Sequence, residues 1–73
     1  MAEIVLTPTL LESVPGKLIL TDIATVRIDK KVTAALLREK VLLIQDVATI
    51  RATKATFDIV QLLARDVATI RRR

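Results

Sequence analysis

The sequence predicts an α+β fold. A short N-terminal strand is followed by two helices, and the folded unit is an obligate homodimer or a higher oligomer. Three observations lead there. Residues 17–29 alternate: Leu18, Leu20, Ala24, Val26 and Ile28 share one face, and Lys17, Thr21, Thr25, Arg27 and Asp29 share the other. Period two with β-branched residues reads as strand. From Val32 onward, apolar residues return at spacings of three, four or seven (Val32, Leu36, Leu43, Val47, Ile50), which places them on one helical face. Hydrophobic residues make up 52% of only 73 residues, more than so short a chain hides by itself.

A repeated phrase runs through the chain. Asp22-Ile23-Ala24-Thr25-Val26-Arg27 returns as Asp46-Val47-Ala48-Thr49-Ile50-Arg51 and as Asp66-Val67-Ala68-Thr69-Ile70-Arg71. Leu42-Leu43 and Leu62-Leu63 extend the likeness of the last two copies upstream. The copies are spaced by 24 and 20 residues, a range in which internal repeats build structure. This supplies an alternative fold, a small repeat of stacked β-strands in which like side chains form ladders. Val, Thr and Ile in the copies favour it, while a single glycine and no asparagine count against a coil of tight turns.

Taken in order, residues 1–16 are expected as a flexible N-terminal arm punctuated by Pro8 and Pro15-Gly16. Within it Thr9–Glu12 suits one helical turn, and Ile4-Val5-Leu6 a short strand added to a neighbour. Residues 17–73 form a single small oligomeric domain. Asp29 is expected to cap a first helix over 30–45. The stretch 41–51 is also rich in β-formers, so strand competes with helix beyond Gln45. Ala52–Thr56 is the polar break, with Thr53 as the candidate N-cap of a second helix over 54–72. That helix carries a stripe of Ile59, Val60, Leu63, Val67 and Ile70, with Phe57 as its aromatic anchor. Arg71, Arg72 and Arg73 complement its C-terminal dipole.

Chemistry is sparse. The chain has no cysteine and no histidine, and Gly16 is its single glycine. That removes thiolate and imidazole ligands, the commonest general base and a glycine-rich phosphate loop. The carboxylates are scattered, so the expectation is a non-enzyme with no metal and no cofactor. Asp22, Asp46 and Asp66 recur at equal places. They either gather around an oligomer axis as a cation site or each end a local element, and the second reading is favoured.

Net charge is +4 but uneven. Residues 1–22 set Lys17 against Glu3, Glu12 and Asp22, net −2, while residues 23–73 carry eleven bases and five acids, net +6. A basic body suits a polyanion, most simply nucleic acid. The start of the chain carries an acid where a secretory signal needs cations, and no apolar run approaches the ~18 residues of a membrane helix. The expected setting is cytoplasmic or the interior of a virion.

Ala24-Thr25-Val26-Arg27-Ile28-Asp29-Lys30-Lys31 resembles the strand and helix start of ribbon-helix-helix DNA-binding proteins. The resemblance spans roughly residues 23–70. It implies two chains pairing their strands into an antiparallel ribbon in the major groove, Thr25 and Arg27 reading bases. Thr53 and Lys54 would hold phosphate at the second helix, and Lys30 completes the DNA-binding set. The chain departs from that family at Ile23, an apolar outward position, and in the separation of Asp29 from Thr53. Two functions follow. One is a dimeric transcriptional regulator on double-stranded DNA. The other is a non-enzymatic self-assembling structural protein built on the repeat.

Overall fold

The computed structural model describes residues 2–72. Each copy of the repeated phrase forms a strand. The elements run β1 (Glu3–Leu6), α1 (Pro8–Ser13), β2 (Leu18–Ile28), α2 (Ala34–Lys40), β3 (Val41–Ala52), α3 (Phe57–Leu63) and β4 (Ala64–Arg72). The strands make one sheet in the order β1-β2-β3-β4, parallel throughout. Short helices return the chain from the end of one strand to the start of the next and pack on their neighbours in the same order. The result is a short coil of strand–helix repeats.

The expected strand followed by two helices is therefore overturned. Strand β3 begins at Val41, inside the first helix expected over 30–45, and continues through the stretch left open beyond Gln45, while β4 occupies 64–72, inside the second helix expected over 54–72. The cause is local. Asp22, Asp46 and Asp66 each adopt a left-handed backbone conformation, with φ of 58°, 56° and 54°. Aspartate tolerates this region better than most residues, because its short polar side chain bonds locally. Each such residue interrupts the strand alternation, so two consecutive side chains face outward. A register shift also falls between Leu18 and Ile19, opposite Leu42. In β3 the buried residues Val41, Ile44, Val47 and Ile50 are consequently spaced by three, and Ala52 follows at a spacing of two. A strand interrupted in this way carries the spacing of a helix.

The same interruption changes the face assignment in β2. Ile23 is buried (6% exposed) and Ala24 is exposed, the reverse of an unbroken alternation from Leu18. The β2–β4 copies lie in register as neighbours, Thr25–Thr49–Thr69, Val26–Ile50–Ile70 and Arg27–Arg51–Arg71. A fourth, partial copy precedes them. Glu3-Ile4-Val5-Leu6 pairs with Thr25-Val26-Arg27-Ile28, and the Thr25 N–H donates to the Ala2 carbonyl at 3.0 Å. The segment expected as an arm is thus built into the fold, and Leu6 and Leu11 are fully buried.

Threonines start the helices. Thr7 and Thr33 are extended N-caps whose hydroxyls accept from the Leu10 and Leu36 N–H groups, both at 3.1 Å. Pro8 follows Thr7 at the first helical position, where its missing N–H costs nothing. Asp29 was expected to cap a helix at Lys30. Instead its carboxylate accepts from the Lys31 N–H in a turn, and the helix waits for Thr33. Thr53, the expected cap of the second helix, yields that position to Thr56. The two threonines face each other: the Thr53 N–H donates to Thr56 Oγ1 (3.1 Å), the Thr56 N–H donates to Thr53 Oγ1 (3.2 Å), and the hydroxyls are 2.7 Å apart. Both are buried, so this reciprocal pairing satisfies groups that would otherwise be costly to bury.

Between sheet and helices lies the core. Leu11, Leu37 and Val60 supply it from the three helices, against Val26, Ile44, Val47 and Ile50 from the strands. Full burial of such a side chain contributes about 1.5–3 kcal/mol. Phe57 packs against the edge of this cluster without being fully buried, with the Arg72 guanidinium 5.8 Å from its ring centre. The anchor of α3 is Val60, not its aromatic. No helix among the described residues is long and apolar enough to cross a membrane.

Candidate functional site

The register that stacks the repeats also stacks their outward residues. Downstream of the left-handed aspartates, Thr25, Thr49 and Thr69 form one row across the sheet, and Arg27, Arg51 and Arg71 form a second beside it. Neighbouring strands lie about 4.8 Å apart, so three guanidinium groups start from backbone positions within ~10 Å. The alternation that buries Val26 and Ile28 turns Arg27 outward, its side chain 44% exposed. Arg51 and Arg71 are exposed.

Like charges directly opposite each other on neighbouring strands destabilise a sheet. One end of the row is offset, since Glu3 on β1 lies 3.6 Å from the Arg27 guanidinium. Among the described residues, Arg51 and Arg71 have no ion-pair partner. A shallow open recess lies over this region, lined by Glu3, Thr25, Thr49, Arg51 and Arg71. A smaller one beside it is lined by Val5, Arg27, Ile28, Asp29 and Arg51. Such a face can bind an extended anion. Glu3 lines the larger recess and Asp29 the smaller, each together with arginine.

The sequence-derived candidates are divided by the fold. Thr25 and Arg27 sit together on this face. Lys30 and Lys54 are exposed in the turns that follow β2 and β3. Thr53 is buried and its hydroxyl is engaged by Thr56, so it offers nothing to a phosphate. The ribbon that the family resemblance implied is not available to β2. Both its edges are already paired, with β1 and with β3 of the same chain. Arg51 and Arg71 join the site only through register. Their signal was the repeat itself, which helices over 30–45 and 54–72 break up. Asp22, Asp46 and Asp66 serve the backbone, and no group of acidic residues among the described residues is arranged to hold a metal ion.

The second candidate surface is the open edge of β4. Ala64, Val67 and Ile70 are half-buried there, while the equivalent Ile44, Val47 and Ile50 of β3 are buried. Leu62, at the end of α3, is 77% exposed.

Comparisons with family models, curated proteins and solved structures found no match.

Proposed function

We propose that this chain is a non-enzymatic self-assembling protein, and that its assembly contact is the β4 edge of a second copy. The carrying observation is that β4 holds a full copy of the repeat with its core-facing row half uncovered at an unpaired sheet edge. Natural edge strands are usually kept short, broken by proline or given inward charge. β1 is four residues long and ends just before Pro8, whereas β4 runs nine residues with no proline, and the charge in its inward row, Arg72 opposite the buried Ala52, comes only at its last position.

The occupant is argued from complementarity. In one antiparallel register of β4 against itself, Val67 meets Ile70 of the second copy and Asp66 meets Arg71, each twice about a two-fold axis. The apolar row is then closed over, and the Asp66–Arg71 pairs offset the Arg65–Arg72 pairs that the same register brings together. A two-fold contact of this kind closes on itself, giving a dimer of defined size.

Sedimentation equilibrium across a concentration series tests the proposal, with circular dichroism as the check on folding. The wild type dimerises reversibly. Arg71→Glu sets two like-charged pairs across the axis and weakens the dimer by about tenfold, equivalent to ~1.4 kcal/mol, without altering the spectrum. A stably folded monomer at every concentration overturns the proposal. Open-ended growth overturns the two-fold contact, since that requires the β4 edge to meet a different surface.

A further inference from the structure

A different face, the Arg27–Arg51–Arg71 row, carries a second inference, with Arg71 the residue it shares with the assembly contact. We infer that it binds the phosphodiester backbone of nucleic acid without reading sequence. Three guanidinium groups held in a row by strand register repel one another, and only Arg27 has its charge offset by Glu3 among the described residues. A row of anionic groups laid across the strands removes that repulsion. The guanidinium fork matches phosphate oxygens bidentately, and threonine hydroxyls are ordinary contacts to phosphate and sugar. Duplex DNA presents one charge per ~1.7 Å of its axis, so three guanidiniums starting within ~10 Å each find a phosphate.

The same geometry argues against base reading. The major groove is about 12 Å wide and admits a helix or a two-stranded ribbon. This is the face of a four-stranded sheet, whose outer strands lie ~14 Å apart before side chains are added. It rests across the groove on the flanking phosphates. Across β2, β3 and β4 its side chains are also uniform, Thr-Thr-Thr beside Arg-Arg-Arg, so successive positions offer the same chemistry whatever base they meet. The chain's single aromatic, Phe57, lies beside Arg72 and provides no base-stacking platform on this face.

The test is fluorescence anisotropy of the full chain with labelled duplexes of unrelated sequence, labelled single-stranded RNA and a sulfated polysaccharide, each across a salt series. The duplexes bind equally. Arg51→Gln lowers the slope of log affinity against log salt by about 0.9 on the duplex, and the Arg27→Gln, Arg51→Gln double variant by about twice that. Arg51→Lys keeps the slope. Arg38→Gln, the same loss of charge on α2, leaves affinity within about twofold. The RNA arm reports whether a single strand supplies the same backbone, with a shallower slope. The inference is overturned if the wild type binds no nucleic acid at low salt, if one duplex is strongly preferred, or if the polysaccharide alone is bound. It is also overturned if Arg51→Gln and Arg38→Gln behave alike, or if Arg51→Lys fails together with Arg51→Gln. Arg71 is shared with the assembly contact, but the variants used here, at Arg27 and Arg51 on β2 and β3, leave Asp66 and Arg71 in place, so failure here leaves the assembly proposal standing.

Discussion

The two ends of the sheet carry related strands and have opposite surroundings. At the β1 end, four residues of partial repeat are followed by Pro8 and α1, which folds back so that Leu6 and Leu11 are fully buried in an edge position. At the β4 end, a longer strand presents Ala64, Val67 and Ile70 half-exposed, beside the exposed Leu62. Strand sequence alone does not set burial, since Ile50 and Ile70 occupy equal places in identical phrases and only Ile50 is buried. What differs is the next layer. β3 has a neighbour on either side, and β4 has one.

The largest effect that sharpens this contrast is expected from core truncation. Leu37→Ala removes a fully buried side chain from the middle helix and should lower the free energy of unfolding in urea by about 2–5 kcal/mol. Leu62→Ala at the open end should change it by less than ~0.5 kcal/mol. Equal losses would mean that the open end is covered in solution.

Next come the left-handed aspartates. Asp46→Val forces a β-branched residue to a φ of 56° and should cost about 1–3 kcal/mol. Asp46→Gly should be far better tolerated. The equivalent Asp66→Val, on a strand with one neighbour in the monomer, should cost less than Asp46→Val, as read by thermal unfolding at concentrations below dimerisation. A larger loss at Asp66 would show the β4 edge to be the more constrained.

Smaller again are the caps. Thr7→Ala at the closed end and Thr33→Ala in the middle each lose a hydroxyl that accepts a helix N–H, a change of about 1 kcal/mol. Thr56→Ala loses no cap bond but strands the buried Thr53 N–H and hydroxyl, and should cost about 1–3 kcal/mol. Comparison of the three in urea checks whether the open end relies on this buried pair where the others rely on capping. Smallest of all is Glu3→Gln. Both partners of the Glu3–Arg27 contact are nearly half exposed, so its loss should cost about 0.2–1 kcal/mol and fade as salt is raised.

The sequence by itself determined the repeat, the apolar character of its strands and the outward placement of Arg27 between Val26 and Ile28. The helix starts were not read from it: Asp29 and Thr53 resemble caps, but the helices begin at Thr7, Thr33 and Thr56. Hydrophobic spacing misled over 41–45 and 64–72, because a left-handed aspartate or a register shift converts period two into period three, and period three is also the signature of a helix. Only the tertiary structure decided between them. A strand becomes favourable when neighbouring strands satisfy its backbone hydrogen bonds and its inner row meets a helix layer, and both conditions belong to the stacked repeats together. The same holds for the arginine row. Arg27, Arg51 and Arg71 are separated by 24 and 20 residues in sequence, and parallel register alone makes them neighbours.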